Sequence, residues 1–201
     1  MSLMPRVSKV IGLAVSVLLL FSILAPWFQV SYDWQMLSEY RSETRFGVQD
    51  FETLIYMNGD VLANESHRYN NSYFEPVGKL MGAQLLLVCL SVISSVLFVI
   101  SQASRNVALP LLTGSLSLVL LLAVVVTFYL GMDDAFNESG ASLSGSSELL
   151  TIEGFWGSKD VSIFGISWGP SLGWLLGLVS ILLQSLSLVL VSSSRSRSLE
   201  H

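Results

Sequence analysis

Residues able to do chemistry are few in this chain, and their spacing assembles little. One G-x-S-x-G match exists, Gly165-Ile166-Ser167-Trp168-Gly169, with a strand-like run before it and a helical run after it. In hydrolases that motif lifts a nucleophilic serine onto a strand-to-helix turn, and an acid and a histidine follow along the chain. Here neither follows Ser167 before the terminal Glu200-His201, so the match reads as coincidence at a helix entry. His67 is the only other histidine, which excludes a site built on two imidazoles. Asp50, Glu52 and Asp60 come nearest to paired carboxylates for acid–base work. Asp133, Asp134, Asn137 and Glu138 make an oxygen-rich cluster of the kind calcium favours, but without EF-hand spacing they read as a solvated acidic edge. Phosphate loops and C-x-x-C pairs are absent. The expectation is a chain that is not an enzyme, with no catalytic, cofactor-binding or metal residues.

The elements that would have to position such groups explain why. Of 201 residues 52% are apolar and only 12% charged, against roughly a quarter charged in a soluble domain. Four stretches carry no charge at all: Val10–Tyr32, Leu80–Ser104, Asn106–Met132 and Val161–Ser194. Each exceeds the roughly 20 apolar residues that span a bilayer. This excludes a soluble enzyme, a nucleic-acid binder and a secreted disulfide scaffold. Helices are expected over 10–30, 80–101, 107–130 and 169–192. Between them lie an N-terminal segment 1–9, a first loop 31–79, a link 102–106, a second loop 131–168 and a C-terminal segment 193–201. Leu199-Glu200-His201 resembles a purification-tag stub and is set aside. The first apolar segment reads as a retained anchor, because Pro26 would follow the candidate signal cleavage after Ala25.

Charge fixes the expected orientation. Arg6, Lys9, Arg105, Arg195 and Arg197 fall on the side of the termini, whereas the two long loops carry 14 of the 15 acids. Basic residues are retained in the cytoplasm, so the loops are expected to face outward from a multi-pass protein of the plasma membrane. Trp27, Phe28, Tyr32, Trp34, Phe128, Tyr129, Phe164 and Trp168 would mark the outer interface. The N-x-S sequons at Asn64, Asn70 and Asn137 all fall in these loops, where glycosylation could reach them. Cys89 is the only cysteine, so no disulfide braces the loops.

The loops are too long to be connectors. Arg45–Met57 is rich in strand formers and runs into Asn58-Gly59, a strong hairpin signal because both positions accept positive φ. Glu138–Ser147 reads as a Gly/Ser-rich linker. Leu149–Trp156 and Val161–Trp168 would form a second hairpin across Gly157–Asp160. The expected fold class is therefore an all-α integral membrane four-helix bundle, up-down-up-down with cytoplasmic termini, carrying a small extracellular β-rich cap. Tyr56, Phe155 and Trp156 are its candidate contacts, since exposed aromatics anchor interfaces.

Inside the predicted spans no Asp, Glu, Lys, Arg or His occurs, which argues against a pump or a proton-coupled transporter. Gly169, Gly173, Gly177, Ser180, Gln184 and Ser187 recur at helical spacing on one face of the fourth helix. Small residues let helices approach closely in lipid. This face suits packing against Gly12 and Ser16 of the first helix, or a seam between copies. Pro110 and Gly114 mark the start and a packing notch of the third helix.

Four helices with inward termini and a longer, strand-rich first outer loop, together with Pro26-Trp27, Trp34 and Lys79, resemble the claudin and peripheral-myelin-protein tetraspan group. The Trp-Gly-Leu-Trp element and disulfide pair of that group are not present here. Phe155-Trp156-Gly157-Ser158 and Ser167–Trp174 are similar to small prokaryotic membrane proteins, a likeness that implies location and shape but no activity. The functional expectation is a surface protein acting in structure, recognition or self-association through its cap. The alternatives are an accessory subunit of a transport or enzyme complex, or a binder of lipid or a small apolar ligand between cap and helix ends. Expected partners are membrane lipids, a second copy or another membrane protein, and no nucleic acid.

Overall fold

The computed structural model describes residues 3–34, 40–69, 74–104, 106, 108–144, 152–161 and 164–199. Its elements in chain order are α1 (Leu3–Leu24), β1 (Phe28–Trp34), β2 (Tyr40–Phe46), β3 (Asp50–Met57), β4 (Asp60–Arg68), α2 (Glu75–Ser101), α3 (Ala108–Ser144), β5 (Gly157–Val161), β6 (Phe164–Pro170) and α4 (Leu172–Leu199). All four helices are long and apolar enough to cross a membrane, and no more than 33% of any apolar window is buried within the chain. Apolar side chains left outside in this way are what lipid accepts and water does not.

The expected fold class is overturned. Six strands form one antiparallel sheet in the order β4-β3-β2-β1-β6-β5, too large to be a small cap on an all-α bundle. The extra strands come from segments whose apolar character suggested helix. Pro26 lacks an amide hydrogen and disfavours a helical Ala25, so α1 stops at Leu24 rather than residue 30. Phe28–Trp34 then forms β1, and its Val30 pairs with both Thr44 and Trp168. At the other end Gly169 and Pro170 close β6, and α4 starts only at Leu172. The first amides of α4 are satisfied by the β1 approach: Ser171 N–H donates to Trp27 O at 2.9 Å and Gly173 N–H to Pro26 O at 2.7 Å.

Three further boundaries are corrected. α3 continues to Ser144, into the supposed linker, with Phe128, Met132, Phe136 and Ser139 keeping a buried stripe at helical spacing up to its start. Gly157–Asp160 are strand residues of β5 rather than a turn, and Val161 pairs with Phe164. Segment 40–45 of the first loop is strand; residues 35–39 lie outside the described ones. The Asn58-Gly59 turn forms as expected, with φ of 55° and 85°.

The chain divides into two compact units. The first comprises residues 1–22, 86–126 and 176–201. Its helices are joined by small residues and hydroxyls. A Cβ on Gly12 would meet Val99 at 2.8 Å, and one on Gly114 would meet Phe98 at 2.8 Å. Ser16 Oγ donates to Ser95 Oγ at 3.1 Å, and Ser95 Oγ to Gly12 O at 3.2 Å. Ser8 and Ser187 hydroxyls lie 2.8 Å apart, and Gln184 Nε2 donates to Gly114 O at 3.3 Å. Such bonds are worth about a kcal/mol or less each in lipid, yet here they lock helices at matched positions.

The second unit, residues 23–85 and 127–175, holds the sheet and the helix ends beside it. One sheet face carries Phe28, Val30, Phe46, Phe51, Ile166 and Trp168, all buried. Phe28 meets Phe128 at 6.5 Å between ring centroids, and Phe46 meets Phe74 at 5.1 Å and Phe136 at 5.9 Å. These rings pack against one another beside the sheet's base.

Candidate functional site

The other sheet face is polar, and the period-2 rule explains how. In an antiparallel ladder directly opposed residues share a face. Asp33 opposes Arg41 and Gly165, Glu43 opposes Ser31 and Leu54, and Arg45 opposes Gln29 and Glu52. Along β2 the sequence Arg41-x-Glu43-x-Arg45 therefore sets a carboxylate between two guanidinium groups on one face. Arg45 Nε donates to Glu43 Oε1 at 2.6 Å, and Arg41 Nη2 to Glu43 Oε2 at 3.5 Å and to Ser31 Oγ at 3.2 Å. Arg41 Nε lies 3.6 Å from Asp33 Oδ1. Glu43 is buried beneath its partners, and its hydrogen bond holds the Arg45 guanidinium protonated more firmly than usual.

At the end of the strands away from the phenylalanine cluster a cleft of about 710 Å³ opens. Asp33, Arg41, Glu43 and Tyr56 line it from the polar face, and Trp34 and Tyr40, which the register puts on the other face, reach it at the strand ends. The Asn58-Gly59 turn closes one side. Trp34 is braced against Tyr40 at 6.1 Å and Phe164 at 5.5 Å. A smaller cleft of about 400 Å³ lies near the start of α2, between Val48, Tyr69, Gly78 and Lys79. Burial, with Asp50 nearby, pushes the Tyr69 hydroxyl well above its ordinary value, and that hydroxyl donates to Gly47 O at 2.8 Å. Burial alone pushes Tyr32 up to about 12.

Both sheet edges are blunted. Leu62 has no partner on β3, a bulge between the Ile55–Ala63 and Tyr56–Val61 pairs that kinks the β4 edge. β5 is only five residues long and carries Lys159 and Asp160.

The residues singled out in the sequence are scattered by the fold. Ser167 stands in the middle of β6, exposed, with no strand-to-helix turn beneath it. Asp50 and Glu52 lie on β3, whereas Asp60 lies past the turn opposite Met57, so the three carboxylates do not converge. Asp133, Asp134, Asn137 and Glu138 are on α3, and no group of three His, Cys, Asp or Glu able to hold a metal occurs among the described residues. Gly169 is in β6 and leaves the α4 stripe. Gly173 faces Trp27, Gly177 faces Val125 and Gln184 reaches Gly114, while Ser180 is buried and donates to Leu176 O at 2.8 Å. Gly12 and Ser16 face α2, and Ser8 with Ser187 is a contact of α1 with α4.

Phe155 is a core residue rather than an exposed contact, 5.0 Å from both Tyr129 and Trp174. Trp156 is 63% exposed and Tyr56 half-buried beside the cleft. Asn64 is exposed on β4, and Asn70 lies outside the described residues. Asn137 Nδ2 donates to Ile152 O and its Oδ1 accepts from Ile152 N, both at 2.8 Å, so a glycan there would displace a backbone clamp. Sequence reasoning passed over Asp33, Arg41 and Glu43, although the alternating charges of Arg41–Arg45 were the available signal. No protein-family profile and no curated protein matches the chain.

Proposed function

We propose that this chain is a non-enzymatic four-helix membrane protein that acts at the cell surface, in recognition or self-association, through a sheet held on the outer side. The observation that carries the reading is the β1–β6 pairing, seven residue pairs from Phe28–Pro170 to Trp34–Phe164, which joins both long loops in one sheet. Segments that merely connect helices have no need of such a joint. The acidic excess of the loops and the basic termini support the outward placement. Resemblance to the tetraspan group is taken no further than this architecture.

The test is to isolate the full chain from its native membrane under mild detergent and determine the mass and composition of the particle. The reading expects copies of this chain in fixed number, or this chain with a surface ligand, in an association weakened by Arg41→Glu or Tyr56→Ala on the polar face. A second membrane protein that remains bound in fixed ratio through both substitutions would make the chain an accessory subunit instead.

A further inference from the structure

The cleft at the far end of the sheet has a chemistry that selects a class of ligand, and the inference rests on reading the sheet as a recognition surface. Its charges are already matched. Asp33 lies 3.6 Å from Arg41, and Glu43 lies 3.5 Å from Arg41 and 2.6 Å from Arg45. An entering ion would find each opposite charge taken. Two capacities remain. Paired carboxylates keep lone pairs beyond those their partners use, and a guanidinium has five N–H groups, so these side chains still hydrogen-bond while their pairs hold them in place. The Tyr56 ring, opposite Arg41 on the same face, offers flat apolar surface beside them, and Trp34 and Tyr40 meet the cleft at its rim from the strand ends.

A ligand meeting both demands is uncharged, with an apolar C–H face and hydroxyls around its rim. We propose that this cleft binds a neutral saccharide, with Tyr56 against a C–H face of the sugar and Asp33, Arg41 and Glu43 bonded to its hydroxyls. The volume of about 710 Å³ falls within the span of small-ligand sites, roughly 300–1,000 Å³. An extended peptide would need a free sheet edge for its backbone. The cleft instead lies over β1, β2 and β3, which are interior strands of the sheet.

The full chain, in a detergent without a sugar headgroup, is titrated by calorimetry with neutral and acidic oligosaccharides, and with a neutral glycolipid in the same micelles. Saturable binding of at least one neutral oligosaccharide is expected. Affinity should fall about tenfold in Tyr56→Ala, recover in Tyr56→Phe, and stay within about twofold in Trp156→Ala. It should also change less than about twofold between 0.1 and 1 M salt, across which the Debye length shrinks from about 10 to about 3 Å. Tighter binding of the glycolipid than of its free oligosaccharide would mark a membrane-linked glycan as the source; equal binding would mark a free one. No binding across the panel, or binding of acidic oligosaccharides alone with steep salt dependence, overturns the proposal. Solubilised protein presents the cleft whichever way the sheet faces in the cell, so a negative result removes the saccharide and leaves the surface reading to the particle measurement.

Discussion

Gly173 and Gly82 are both helical glycines, and the structure predicts opposite effects for the same substitution. A Cβ on Gly173 would strike Trp27, with Nε1 at 2.6 Å and Ala25 O at 3.0 Å. Trp27 cannot yield easily: it is wholly buried and meets Phe128 edge to face at 5.3 Å. Overpacking of this kind costs about 1–3 kcal/mol. The gain in helix propensity from Gly to Ala returns at most about 1 kcal/mol. Gly173→Ala is therefore expected to destabilise by about 1–2 kcal/mol. A Cβ on Gly82 meets nothing within 4 Å, so Gly82→Ala should stabilise by about 0.5–1 kcal/mol. Thermal unfolding of the detergent-solubilised chain, followed by near-ultraviolet circular dichroism, reads both. On the scale of domains this size each kcal/mol moves Tm by about 2–4 °C. Equal or higher Tm for Gly173→Ala would refute the packing of α4 against Trp27, and restoration by Trp27→Phe in the same chain would confirm its cause.

Other outcomes follow from single contacts. Asn137→Ala should cost about 1–3 kcal/mol in the same assay, because it strips the buried Ile152 backbone of both partners. Tyr32 keeps its proton more tightly when folded, so its contribution is full below pH 10, the ordinary tyrosine value, and is lost as pH rises towards about 12. An alkaline unfolding titration should therefore show a loss of stability in that window, which Tyr32→Phe makes shallower while Tyr69, held higher still, keeps the remainder. Cys89 is exposed on α2, within its apolar span. Water-soluble thiol reagents should fail to label it from either side of an intact membrane, and a lipid-soluble maleimide should succeed; aqueous labelling would contradict the span.

The helices were legible because apolar runs without charge have few physical meanings at such length. Their ends were not. Phe28, Val30 and Tyr32 extend the apolar run of α1, and only Pro26 hinted that the chain changes from helix to strand there. Gly169-Pro170 suits a helix start as well as a strand end, and the choice is made by β1, which is distant in sequence. Glu138–Ser147 suggested a Gly/Ser-rich linker, yet α3 runs into it as far as Ser144, continuing a helix whose buried positions reach Ser139. Asn58-Gly59 was legible because its backbone demand is local. The charged cleft was not, since Asp33, Glu43 and Tyr56 come together only through the ladder register of three strands.

The account turns on the two long loops sharing one sheet on one side of the membrane. Asp33 on β1 stands opposite Gly165 on β6, so cysteines at the two positions should have Cβ atoms about 4.5–5.5 Å apart. Asp160 lies one strand further out, opposite Gly165. In a Cys89→Ser background in oriented native membranes, a short impermeant bifunctional thiol reagent added outside should link Asp33→Cys with Gly165→Cys. The same reagent should leave Asp33→Cys with Asp160→Cys unlinked. Failure of the first pair, or preferential linking of the second, would contradict the shared sheet, its register or its outward placement.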